Sequence, residues 1–386
     1  MTNAIKQIAK VPPLIVGESA LTELPEVIAN WQRESVLVVS DEGLATTGLV
    51  DLLVNVLSSS LPVEVFLAPV GEPKVATVDQ AAKKVRAMVK PVVVGLGGGT
   101  ALDIAKLTAG LAESANDMAH YLLCKNPWSG SAPKIMIPTT SGTGAEVTRT
   151  CVLADERGNK SWAWGNELSP ELVVLDPNAS KSMPAVITVM TGLDALVHAL
   201  EAATGQSQDN VSNANALQAI SLVNANLLAC VSSPENLKAR LYMQQAAYLA
   251  GIAIDNCGTG MAHNIGHALG TLYHIPHGIA VTIGSAASLS WSLETAESMY
   301  HQVAKALNCE VSKLSQTLMD ILEQVNFSTC LQRYADVDID LKSLISCMQT
   351  PENLPMANNN SRVPQPDDWI LLANFTKDMF NQLLAY

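Results

Sequence analysis

The sequence predicts an α/β domain built on a parallel sheet over residues 1–178, followed by an all-helical domain over residues 179–386. Three observations carry that reading. The length of 386 residues suits two domains of roughly 100–200 residues each. In the first half, short β-branched runs alternate with amphipathic stretches, the pattern of strands joined by crossover helices. Beyond Ala179 the helical period continues and no strand-like run interrupts it.

The strands expected in the first half are residues 35–40 (SVLVVS), 63–67 (VEVFL), 91–96 (PVVVGL), 134–137 (KIMI) and 172–175 (LVVL). They are nearly all apolar, as in a parallel sheet covered on both faces. Between them, residues 44–57 and 78–90 repeat apolar side chains at three- and four-residue spacing and read as helices. Asp176-Pro177 marks the boundary. Residues 189–203, 211–230 and 234–252 then read as long helices, and helices continue onward with a polar loop near residues 351–367.

Composition excludes several classes. The chain is 48% hydrophobic and 15% charged. A soluble domain is usually about 25% charged, so part of this surface is expected to be covered by another copy, as a homodimer or larger homo-oligomer. The formal charge of −13 argues against nucleic acid, which needs clustered Lys and Arg, and against an anionic membrane surface. No run of 18 uninterrupted apolar residues marks a membrane span. Lys6 and Lys10 fall where a signal peptide would place its apolar core. The seven cysteines are scattered and never form CxxC, as expected of free thiols in a reducing compartment. A cytoplasmic location is therefore expected.

Three local patterns carry chemistry. Gly97-Gly98-Gly99-Thr100 follows the PVVVGL strand and opens the stretch TALDIAKLTAGLA. Bare glycines admit close backbone approach, and a helix N-terminus favours an anion, so a dinucleotide diphosphate is the expected guest. Thr100 and Asp103 are spaced as N-cap and N3 of a capping box. The bland reading is a tight strand-to-helix turn, and the spacing is not GxGxxG. The loop of residues 138–146 (PTTSGTGAE), after KIMI, offers hydroxyls and glycines for ribose or phosphate, or else forms an ordinary polar turn. Asp41, closing SVLVVS, either accepts from an adenosine ribose and repels a 2′-phosphate, or is a turn residue before Gly43. In the helical half, Asp194 and His198 are four apart on one helix face. GMAHNIGHALGTLYHIPHG then supplies His263, His267, His274 and His277. One carboxylate with several imidazoles suits Fe²⁺, Zn²⁺, Co²⁺ or Ni²⁺, although spacing leaves open which of these four histidines bind.

GGGTALDIAK, PTTSGTGAEVT, TGLDALVHALEA and residues 263–278 together resemble the iron-dependent (group III) alcohol dehydrogenase family, which shares its fold with glycerol dehydrogenase and dehydroquinate synthase. The resemblance runs from about Val36 to Ala306. It implies Asp194, His198, His263 and His277 as ligands of Fe²⁺, with Zn²⁺ the alternative, and His267 as a non-ligand histidine lining the catalytic cleft. It implies NAD as cofactor. Gly98, Gly99 and Thr100 would hold the diphosphate, Gly97 and Asp103 beside them are further cofactor-binding candidates, and Thr139, Thr140 and Thr143 would contact the cofactor near its nicotinamide half. Lys160 matches a cofactor-contacting lysine, and Asp41 the position favouring NAD over NADP. The chain departs from the family at Glu72-Pro73-Lys74, where Asn-Pro is common, and at the shortened segment MANNNSRVPQPDD.

The implied activity interconverts a primary alcohol and an aldehyde by hydride transfer with NAD(H). Competing readings are a zinc polyol or maleylacetate-type reductase on the same scaffold, and a non-catalytic metal- or dinucleotide-binding sensor.

Overall fold

The computed structural model describes residues 6–155 and 160–385. They form two compact units. One spans Lys10–Met183; the other begins at Pro184 and includes residues 6–9.

The first unit is built on a six-stranded, wholly parallel sheet. Its strands are β1 (Leu14–Val16), β2 (Ser35–Asp41), β3 (Val63–Ala68), β4 (Pro91–Gly97), β5 (Lys134–Pro138) and, after a hairpin, β8 (Leu172–Leu175), in the spatial order β1-β8-β5-β4-β2-β3. The five strands expected from apolar runs are all present, most longer by a residue. The three-residue β1 is too short to leave a periodic signal.

Alternate residues along each strand serve opposite faces. Leu37, Val39, Val93 and Met136 pack on one side against α4 (Val75–Arg86) and α5 (Gly99–Leu111). Val36, Val38, Val92, Val94, Ile135 and Ile137 pack on the other with α1 (Leu24–Asn30) and α3 (Leu49–Ser58). The helix expected over residues 44–57 is broken. A short α2 (Glu42–Ala45) ends at Thr46, and Gly48 turns the chain at φ +80° before α3 begins. The hairpin β6 (Thr150–Ala154) and β7 (Lys160–Trp164) was not foreseen.

The second unit contains α6 (Ala185–Thr204), α7 (Asn210–Ser232), α8 (Leu237–Cys257), α9 (Met261–Tyr273) and α10 (His277–Ala306). Five more helices follow: α11 (Leu314–Gln324), α12 (Ser328–Leu331), α13 (Leu341–Met348), α14 (Leu354–Asn359) and α15 (Asp368–Ala385). α14 interrupts the expected polar loop. No strand occurs among the described residues of this unit, and one continuous apolar core joins its helices.

α6 and α7 are long and apolar enough to cross a membrane by composition. Both instead supply the helical core. α6 is buried at nearly every position after its first turn, and α7 buries a face at helical spacing (Ala216, Ala219, Ile220, Val223, Leu227).

Candidate metal centre and dinucleotide loop

The sheet changes winding direction between β2 and β4, since β3 lies on one side of β2 and β4 on the other. Ligands of open parallel sheets bind beyond the carboxyl ends of strands at such a switch. The loops after β2, β4 and β5 converge there. A side chain on Gly97 would put its Cβ 2.6 Å from Ala101 Cβ and 3.4 Å from Asp41 Oδ2. Gly98 and Gly99 lie equally close to Thr140 and Thr143 (3.3 and 3.0 Å from a built Cβ), and Thr139 N–H donates to Gly97 O at 2.9 Å. Asp41, the three glycines, Thr100, Thr139, Thr140 and Thr143 thus come together.

The structure shows Asp41 in the turn role considered for it. Oδ1 accepts from Leu44 N–H (2.8 Å) and caps α2, while Oδ2 faces Gly97.

Two expectations need correction. The capping box is not formed: α5 begins at Gly99 with Gly98 as N-cap, so Thr100 is its second residue and Asp103 lies too deep in the helix to cap it. Asp103 is turned to protein partners instead. Its Oδ2 accepts from Val152 N–H (2.9 Å) and its Oδ1 is 3.0 Å from Lys106 Nζ. Lys106, fully buried, also donates to Thr148 O and Thr150 O, so the pair fastens the hairpin to α5. Lys160 Nζ stands 3.5 Å from Glu72, one of the residues at which the chain departs from the family.

In the helical unit, Asp194 and His198 project from one face of α6, His263 from the first turn of α9, and His277 from the first residue of α10. One ligand atom from each lies within 4.8 Å of all the others. Asp194 Oδ1 is 3.7 Å from His198 Nδ1 and 3.5 Å from His277 Nε2. Two donors bound tetrahedrally to one ion at about 2.1 Å are about 3.4 Å apart, so the spacing fits. Asp194 Oδ1, His198 Nδ1 and His263 Nε2 are all buried with no protein hydrogen-bond partner. Orphaned polar atoms are costly in a dry interior unless something else satisfies them. The donor set matches a divalent transition metal.

Close helix approach makes this convergence possible. A Cβ on Gly278 would sit 2.2 Å from Met190 O of α6, and one on Gly284 would sit 2.4 Å from Ala262 O of α9. Only glycine fits at either contact.

His274, which spacing left as a candidate, ends α9 in the left-handed conformation (φ +55°) and is exposed. His267 is half-buried, its ring 5.6 Å from that of His277 and 6.2 Å from that of His263.

Burial holds His263 neutral, its pKa well below the ordinary value, with His198 lowering it further. Burial raises the Asp194 carboxyl, with His198 opposing and Glu201 adding to the rise. It also pushes Glu201 up to about 7 against the N–H groups of Gly260, Ala262 and His263. A bound dication would favour both carboxylates ionised.

Glu201 was not singled out from the sequence. Its position seven after Asp194 and three after His198, on the same helix face, is the signal that could have found it. Asn360 was also missed: Oδ1 accepts from Met261 N–H at the start of α9, and Nδ2 donates to Ser292.

With this geometry in place, the comparisons are consistent. Residues 12–177 match the family "Iron-containing alcohol dehydrogenase", and residues 188–365 match "Fe-containing alcohol dehydrogenase family, C-terminal". Sulfoacetaldehyde reductase of Bilophila wadsworthia is 30% identical over 95% of this chain and 98% of its own length. NAD-dependent methanol dehydrogenase of Bacillus methanolicus is 30% identical over 79% of this chain and 81% of its own. Among solved structures, a 1,3-propanediol oxidoreductase superposes with a TM-score of 0.85 at 27% identity, covering 95% of this chain and 99% of its own. Together with these family matches, the parallel-sheet unit and the helical unit with its metal-ligand cluster mark a metal-dependent oxidoreductase of two-domain type. The chain belongs to the iron-containing alcohol dehydrogenase family, whose members interconvert alcohols and carbonyl compounds.

Proposed function

We propose that this enzyme reduces aldehydes to primary alcohols, and runs the reverse, with NAD(H) as hydride carrier and Fe²⁺ at Asp194, His198, His263 and His277. The observation that carries the reading is the convergence of these four donors with three buried atoms left unsatisfied by protein. When bound, the metal supplies Lewis acidity to a substrate oxygen, and the nicotinamide exchanges hydride with the adjacent carbon.

The chain's own residues do the rest. Asp194 contributes the single negative charge of the ligand set, and His263, held neutral by burial, offers a lone pair beside those of His198 and His277. Gly97, Gly98 and Gly99 with Thr100 cradle the diphosphate through backbone N–H groups at the start of α5, so few basic side chains are needed in an acidic protein. Thr139, Thr140 and Thr143 contact the nicotinamide half, Lys160 assists, and Asp41 accepts from the adenosine ribose. Asp103 serves as a support of the loop rather than a cofactor contact. His267 carries the hydroxyl proton towards solvent.

The domain roles divide at the end of the sheet, with dinucleotide binding before it and metal binding after. A relative named NAD-dependent supports the choice of cofactor. Seven unpaired thiols support a cytoplasmic setting. Exposed Val11, Leu14 and Val16 at the β1 edge support assembly into a homo-oligomer.

The test is Fe²⁺-loaded anaerobic protein assayed with aldehydes, polyols and keto acids while NADH absorbance is followed. Turnover of short aldehydes, lost in His277→Ala together with the metal, is expected. His267→Ala should slow turnover with metal content intact. No change in NADH absorbance with any substrate would overturn the reading.

A further inference from the structure

Glu201 stands behind the metal-site histidines, at the hub of a separate set of contacts. Its Oε2 lies 2.5 Å from His263 Nδ1, while its Oε1 accepts from Ala262 N–H (2.6 Å) and His263 N–H (3.3 Å) in the first turn of α9. The opposite nitrogen of the same ring, Nε2, is the buried atom with no protein partner. A neutral imidazole carries one proton, so a carboxylate accepting at Nδ1 leaves the lone pair at Nε2. On its far side Glu201 borders a cavity of about 20 Å³ lined also by Thr204, Ser285, Ser288, Ser292, Tyr300 and Asn360. Hydroxyl and amide groups line part of that space, with Leu200, Ala262 and Leu289 lining the rest, and it is large enough for one water.

We propose that Glu201 is a positioning residue that fixes the tautomer and ring plane of His263, so that Nε2 presents its lone pair to the divalent metal. The proposal rests on the metal-site reading above.

The contacts give a distinctive order of mutational effects. In Glu201→Gln the single amide oxygen is drawn to the two backbone N–H donors, and the NH₂ group then faces His263 Nδ1. The ring must accept there, and its proton moves to Nε2, the ligating nitrogen. An isosteric swap that inverts a histidine tautomer can be more damaging than its size suggests. In Glu201→Ala the ring remains free to adopt either tautomer.

The experiment titrates apo full-length protein with Co²⁺, read by its visible spectrum, and with Zn²⁺ in competition with a chromophoric chelator. Glu201→Gln should lose about 100-fold or more in affinity and Glu201→Ala about 10-fold. Histidine ¹⁵N spectra of the apo parent should show His263 protonated at Nδ1. A purely helix-anchoring role predicts the opposite order, because Gln keeps the backbone acceptor and Ala does not. An unchanged Co²⁺ spectrum and affinity in Glu201→Gln, or a larger loss in Glu201→Ala, would overturn the proposal. If Glu201→Ala does not fold, the parent–Gln comparison and the ¹⁵N spectra decide. His277→Ala, run in parallel, separates the two readings: if it binds Co²⁺ as the parent does, the metal-site reading itself has failed.

Discussion

Gly278→Ala is the smallest change that should disable the metal centre without touching a ligand. The added Cβ would lie 2.2 Å from Met190 O, a backbone atom of α6 that cannot swing aside. A comfortable carbon–oxygen contact is about 3.3 Å, so the start of α10 must retreat by about 1 Å. Overpacking of this kind costs about 1–3 kcal/mol, and at 2–4 °C per kcal/mol for a unit of this size the Tm should fall by about 2–12 °C. The larger effect is geometric. His277 is the preceding residue, and its Nε2 would move from 3.5 Å to about 4.5 Å from Asp194 Oδ1. Neighbouring ligands of one tetrahedral ion are about 3.4 Å apart, so the displacement takes this pair from a near-ideal spacing to a stretched one. Affinity for Fe²⁺ or Zn²⁺ should therefore fall about 100-fold. The assay is metal content per chain after dialysis, with Tm measured in apo and metal-loaded states. The parent should gain stability on loading and the variant should not. A variant with the parent's metal stoichiometry and the same metal-induced rise in Tm would refute the reasoning.

Three further outcomes are expected. Gly97→Ala should weaken NADH binding, read by fluorescence titration, because its Cβ would meet Ala101 Cβ at 2.6 Å where φ is +155°; Zn²⁺ affinity should be unchanged. Asp41→Ser keeps an acceptor for Leu44 N–H but removes the charge, so the ratio of kcat/KM for NADH to that for NADPH should fall about tenfold; a constant ratio would free Asp41 of any part in cofactor choice. Asp209 caps α7 by accepting from Val211 and Ser212 N–H. Burial works against its ionised form, yet Lys6 and Ser212 hold its pKa down to about 2. A depressed pKa contributes stability that is complete above the unfolded value of about 3.9 and is lost as pH falls through about 2. Asp209→Ala should cost about 1 kcal/mol at neutral pH, and the gap between parent and variant in urea midpoint should close across that acidic window.

Much of the fold was legible because it was local. Continuous apolar runs such as VLVV at residues 36–39 need burial on both faces, and a parallel sheet provides it. The glycine loop was legible because three successive glycines sacrifice backbone order for access. The Asp194/His198 pair was legible because helical spacing fixes which residues share a face. The break at residues 46–48 was not, since apolar periodicity runs through it and only the left-handed turn at Gly48 reveals it. The N-terminus of α5 was misplaced because Thr100 resembles a cap. The backbone instead enters the helix two residues earlier, at Gly98.

Sequence by itself determined the class of chemistry. It names a Gly-rich anion cradle and a set of metal-ligand side chains, because those residue types are intrinsic to the reactions they serve. Tertiary structure decided which of them act together. Spacing could not choose between His274 and His277; the chain direction at the end of α9 exposes the first and delivers the second. It could not pair Glu201 with His263, which lie 62 residues apart, nor foresee that Lys106 would be spent on a hairpin. The physical reason is common to all three. Periodicity specifies which face of an element a side chain occupies, while its partner is set by how closely two elements approach; at the metal centre, glycines where α10 meets α6 and α9 set that distance.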